Sequence, residues 1–242
     1  MKVLIVSALS LCLASVDASA AHVTIEHEAP GWINLYSGAI GRAFQANFVV
    51  GEVYDQYHPD VEFRNFFAFR VPALAPNERV VAAELHLSAH LYDSADPTET
   101  FELHHVSAPS GTIGVRNFDW LEIQYADLGD GPSYGSRAFS GNDQNQIVAI
   151  PLNGIALADI NAAAGGLFEL GGVLTTLAPS PPYMEIVFSG SHLSGHFSRL
   201  QLTTAIVPEP TSWSMLLAAC PFPLWFAIRG RIGRATKARL RC

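Results

Sequence analysis

Lysine is missing from the whole centre of this chain. Lys2 and Lys237 stand at its two ends, and between them the middle carries only Arg42, Arg64, Arg70, Arg79, Arg116, Arg137 and Arg199. Most of the 22 acidic residues lie there too, so the overall charge of −8 conceals a distinctly acidic body and a basic tail. With no basic stripe to displace counterions, the body is no partner for nucleic acid. Cysteine is as sparse: Cys12 lies in an N-terminal apolar run, and Cys220 and Cys242 lie near the C-terminus. A body without cysteine has no disulfide framework, no thiol nucleophile and no Cys-based zinc site. Familiar enzyme signatures are absent as well. There is no Gly-x-Ser-x-Gly elbow, no His-Glu-x-x-His and no phosphate-cradling glycine loop, so the chain reads as a non-enzyme.

What is present begins with a secretory pattern. Met1-Lys2 supplies a positive charge, residues 3–16 are almost wholly apolar, and Ala18-Ser19-Ala20 forms an A-x-A site before Ala21. This is a signal peptide over residues 1–20, addressed to the Sec machinery, and its apolar run is too short for a comfortable membrane span.

From Thr24 onward, hydrophobicity alternates with period two between Gly, Pro, Asn and Asp punctuation. Residues 80–91 are the clearest case. Val81, Ala83, Leu85, Leu87, Ala89 and Leu91 fall on one face, while Glu84, His86, Ser88 and His90 fall on the other. Further strands are expected at 44–50, 63–71, 101–106, 121–125, 147–152, 167–174, 185–188 and 199–204, with Phe67, Phe69 and Val71 in the core. One helix interrupts the series, capped by Asn153 and ended by Gly165-Gly166. The expectation is a single all-β domain over 21–206, a jelly-roll-like β-sandwich with one short helix.

Histidine spacing tests for metal binding. All nine histidines lie in the body, but His86 and His90 on a strand stand about 13 Å apart, too far to share a zinc ion whose ligands lie within about 4 Å of each other. A cross-strand arrangement remains open. If 80–91 and 101–106 pair as a hairpin with Leu91 opposite Phe101, then Glu84, His86, His90, Glu102 and His104 share one outward surface. That surface is either a metal-binding patch or a solvated face.

The turn from Asp93 to Glu99 gathers Asp93, Asp96 and Glu99, a candidate calcium loop without the spacing of an EF-hand. An ordinary solvated turn shaped by Pro97 is the alternative. Trp32 and Trp120 are candidate sugar-stacking platforms, against the simpler reading of loop or core anchors.

The last stretch has three parts: Val207-Pro208-Glu209-Pro210, an apolar run over 213–228, and a terminus holding Arg229, Arg231, Arg234, Lys237, Arg239 and Arg241. In that order they resemble the PEP-CTERM sorting signal of exported bacterial proteins, covering 207–242. The apolar run is about 24 Å long as a helix, and Pro221 and Pro223 would kink it. It suits a short transmembrane sorting helix with its basic end cytoplasmic and the body outside. The resemblance implies a partner, an integral-membrane exosortase that recognises Pro208-Glu209-Pro210 and cleaves nearby. The protein would be anchored transiently in the inner membrane and then pass to the surface or an exopolysaccharide matrix.

The body is similar to an uncharacterised secreted β-sandwich domain found upstream of such tails. The similarity rests on Gly31-Trp32, 46–51, 64–69, 96–103 and 167–172, in that order. It implies export and a sandwich, and carries over no catalytic residue.

Overall fold

The computed structural model describes residues 20–36, 39–44, 48–55, 58–107, 121–178, 184–188 and 198–207. The expected signal peptide before Ala20, Trp120, and the tail from Pro208 onward lie outside them. In chain order the elements are β1 (Ala21–Tyr36), β2 (Ala39–Phe44), β3 (Val50–Asp55), β4 (His58–Arg70), β5 (Glu78–Ala89), β6 (Tyr92–Asp93) and β7 (Glu99–His105). Then come α1 (Leu121–Asp130), β8 (Ser133–Phe139), β9 (Gln146–Pro151), α2 (Gly154–Ala162), β10 (Leu167–Leu174), β11 (Glu185–Val187) and β12 (Ser198–Ile206). The chain divides into two units, Met1–Ile206 and Val207–Cys242.

All twelve strands of the described residues join one antiparallel sheet that curls back on itself. The all-β expectation therefore holds. β1 makes the curl possible because it serves two neighbourhoods. Its first half pairs with β12, with Ala21 opposite Thr204, and its second half pairs with β4 and β2. The register breaks between His27 and Ala29, beside Pro30. Proline has no N–H to give a ladder, so the strand bends where its hydrogen bonding is already interrupted. At the far end, β8 closes towards β9. Arg137 Nη1 donates to the Ala149 carbonyl at 3.1 Å, and Asn153 N–H donates to the Tyr134 carbonyl at 2.8 Å. Two strand edges that would otherwise present open backbone cover each other.

The main core fills the inside of the curl. Phe67, Phe69 and Val71 are buried in it as expected, with Leu85, Leu87, Leu170 and Leu200. Phe188 gathers the aromatic rings, its centroid 4.9 Å from Phe139 and 5.0 Å from Phe101. A second, smaller core of Ile33, Phe66, Val106, Tyr125 and Leu128 lies under α1.

Three local expectations are corrected. Residues 121–125 open a helix, not a strand. Leu121, Ile123 and Tyr125 alternate, but the contact that decides is Tyr125 with Leu128, an i, i+3 pair packed into that second core. Gly171 admits the helix backbone, since a Cβ there would lie 2.4 Å from the Leu128 carbonyl oxygen. The expected strand at 44–50 is instead a boundary: β2 ends at Phe44 and β3 starts at Val50. The described residues also hold two α-helices, not one.

Within β5 the alternation slips once. Thr203 pairs with Ala82 and Thr204 with Val80, so Val81 is the extra residue of a bulge and is 46% exposed, while Val80 is buried. Asn161 of α2 fixes this point, accepting from Val80 N–H at 2.9 Å and donating to Val80 O at 3.0 Å. The capping by Asn153 is as expected, its side chain accepting from Ile155 and Ala156 N–H.

Candidate functional site

Among the described residues, three carboxylates converge: Asp96, Glu99 and Glu185, with one oxygen of each within 4.8 Å of the others. The topology makes this meeting local. β6 pairs with β11, with Ile186 opposite Asp93 and Val187 opposite Tyr92. The turn that leaves β6 therefore folds back over the start of β11, where Glu185 stands. Glu99 opens β7 immediately after that turn. On the other side of β11, Glu185 is opposite Glu52 of β3.

Burial distinguishes this cluster from an ordinary acidic turn. Glu99 is 0% exposed and Glu185 2%, whereas Asp96 is open to solvent. Hydroxyls and amides hold the carboxylates in place. Ser94 Oγ donates to Glu99 Oε1 at 2.6 Å, and Thr176 Oγ1 donates to Glu99 Oε2. Ala178 N–H donates to Glu185 Oε2 at 2.9 Å. Asp96 N–H donates to Ser94 Oγ at 3.0 Å, and Tyr92 OH donates to the Asp96 carbonyl at 2.7 Å.

Electrostatics follow from the crowding. Burial pushes the Glu185 carboxyl above the usual carboxylate range. The Ala178 N–H works against that rise, and the charges of Glu99 and Asp96 add to it. The Tyr92 hydroxyl is raised too, mainly by burial and further by the same acidic groups. Among the described residues no lysine or arginine pairs with the cluster. Either a proton or a cation can relieve such a site. Oxygens bound to one calcium ion lie no more than about 5 Å apart, and calcium accepts carboxylates, carbonyls and water. The donor set is hard and all oxygen, which suits calcium and does not suit zinc.

The expected calcium loop is thus kept in part and changed in part. Asp96 and Glu99 belong to the cluster. Asp93 does not, because it sits in β6 opposite Ile186. Glu185 takes its place, from far along the chain, and its residue type alone gave no signal of this.

The expected hairpin between 80–91 and 101–106 is not formed. β5 lies between β12 and β9, while β7 lies between β10 and β8. The five-residue patch therefore separates into two pairs. On β5, His86 Nε2 lies 3.0 Å from Glu84 Oε2, and on β7, His104 Nε2 lies 3.8 Å from Glu102 Oε2. His104 is buried, with Nδ1 2.8 Å from the Gly131 carbonyl. His90 follows the end of β5. Residues 90–98 run to β11 instead of turning back along β5, so no shared outward surface exists.

Trp32 meets Phe63 edge-on, with centroids 5.1 Å apart and an interplanar angle of 76°. Part of its ring is thus committed to packing inside the protein. A second polar constellation escaped sequence reasoning. Tyr134 OH donates to Asp159 Oδ2 at 2.6 Å and lies 2.6 Å from His105 Nδ1, joining β7, β8 and α2. The Tyr134 ring is buried and stacked on Phe168 at 5.6 Å. Among the described residues, no helix is long and apolar enough to cross a membrane. No family model matches the chain, and neither does any curated protein.

Proposed function

We propose that this chain is an exported protein of the cell surface or of an exopolysaccharide matrix, with a structural or adhesive, non-catalytic body. The signal over 1–20 would direct it to the Sec machinery. The tail would hold it briefly in the inner membrane, where an exosortase would process it at Val207-Pro208-Glu209-Pro210. The carrying observation is the order of three tail features, motif then apolar run then basic terminus, directly after a folded unit whose last strand ends at Ile206. An all-β fold with a large buried core agrees with a cysteine-free body that must persist outside the cell. A jelly-roll arrangement of the curled sheet is part of the same reading.

Intact-mass spectrometry of the surface fraction tests it, with and without the exosortase gene. The expected mature chain starts near Ala21 and ends near Pro210. A surface form that still ends at Cys242 contradicts the processing.

A second reading, a calcium-assisted carbohydrate-binding module, is favoured by the Asp96, Glu99 and Glu185 cluster. Glycan-array binding by the exported protein, with and without calcium, decides it. No binding to any native exopolysaccharide rules it out, and a loss on Trp32→Ala would assign Trp32 to the site.

A further inference from the structure

Where the folded body hands over to the tail, its surface changes character. β12 is bonded to β5 as far as Ile206, which lies opposite Glu78, and Ala21 lies opposite Thr204. The start of β1, the end of β12 and the turn before β5 therefore share one rim. Ile206 is 53% exposed and Val207 46% exposed, and the bulged Val81 stands close by. The turn itself reads Pro72-Ala73-Leu74-Ala75-Pro76-Asn77, without a charge, and all of it but half-buried Leu74 is exposed. Glu78 is half-buried, its carboxylate accepting from Ala75 N–H at 3.1 Å at the surface, and Arg79 beside it is exposed. The body as a whole is acidic, with 20 Asp and Glu against seven Arg over residues 21–206.

We propose that this rim rests on the phospholipid surface while the protein is anchored; the inference depends on the membrane role proposed for the tail. Chain length supplies the first argument. Only residues 208–212 separate Val207 from Trp213, where the apolar run begins. A tether of that length reaches about 20 Å at most. Tryptophan favours the membrane interface, so an inserted tail keeps the rim within that reach. Charge supplies the second. An acidic body is repelled by anionic lipid, whereas at the rim Arg79 offsets Glu78 and the remaining tips are apolar. Signal removal would add the free α-amino group of Ala21 to the same rim. Exposed apolar side chains beside a cation match the boundary between headgroups and acyl chains.

Photo-crosslinking of the full-length chain tests this. A photoreactive phenylalanine analogue is placed singly at Ala75, Ile206, Trp213 and Ile147, in vesicles of phosphatidylethanolamine and phosphatidylglycerol. Ile147 is the internal reference: it is 60% exposed and pairs with Ser88, about 30 Å along β5 from Arg79. Lipid adducts at Ala75 and Ile206 should exceed those at Ile147 at least about five-fold, approaching the Trp213 level. Adducts at Trp213 alone overturn the inference and leave the anchored reading standing. If Trp213 also captures no lipid, the anchored reading falls and this one falls with it. In cell membranes, capture of a protein in place of lipid at Ala75 and Ile206 overturns the proposed partner.

Discussion

Gly51 lies so close to the backbone of Glu185 that a Cβ on it would sit 2.0 Å from the Glu185 carbonyl oxygen. Its φ of +121° belongs to the region that favours glycine. The residue that admits β11 against β3 thus also sets where the buried carboxylate of Glu185 begins.

Gly51→Ala should therefore be severe. It combines a backbone clash with an unfavourable dihedral, and a loss of about 3 kcal/mol or more in chemical denaturation is expected. Gly154→Ala, at the start of α2 with nothing within 4 Å of its added Cβ, serves as the control and should change stability by less than about 1 kcal/mol. Equal effects of the two would refute the close-approach argument.

Calcium should stabilise the protein through Asp96, Glu99 and Glu185. At 100 times the dissociation constant, one site adds about 2.7 kcal/mol, or roughly 5–10 °C in Tm for a domain of this size. Glu185→Gln should reduce that shift by more than half. An unchanged melting temperature between calcium and EDTA, with no calorimetric heat, would sink the idea.

Without a divalent cation, the same site should make stability depend on pH. Glu185 has a raised pKa in the folded state, so its protonated form contributes stability that is fully present below the ordinary glutamate value of about 4.3. That contribution is lost as pH rises through the higher folded value. In EDTA, the melting curve of the unchanged protein should fall relative to Glu185→Gln as pH is raised above that ordinary value. Parallel pH profiles for the two proteins would remove Glu185 as the cause.

Tyr134→Phe tests the polar link between β7, β8 and α2. It leaves the ring stacked on Phe168 but removes the hydroxyl between His105 and Asp159. A loss of about 1–3 kcal/mol is expected. Adding His105→Ala to it should cost clearly less than it does in the unchanged protein, because the two act through one bond. Additive losses would show that the hydroxyl couples nothing.

Strand interiors were readable in the sequence because a half-buried strand must alternate. Ala83, Leu85, Leu87 and Ala89 are buried on schedule. Val81 breaks the pattern because a bulge depends on the partner strand, and nothing near Val81 announces that Thr203 and Thr204 will face Ala82 and Val80. The helix at α1 was hidden for a similar reason. Five residues of alternation fit a strand, and only the second core beneath Tyr125 and Leu128 selects the other period.

The candidate site divides the same way. Asp96 and Glu99 were legible as a carboxylate-rich turn. Glu185 was not, because it arrives through the pairing of β6 with β11 across a long stretch of chain. Local composition determined the acidic, cysteine-free body, the alternation of its strands, the cap at Asn153 and the three-part tail, since each depends on neighbours along the chain. Tertiary structure alone decided which strands are neighbours, splitting the expected His/Glu patch and assembling the buried carboxylates. Backbone pairing brings distant residues together by register, and register is a property of two strands, not of either sequence read singly.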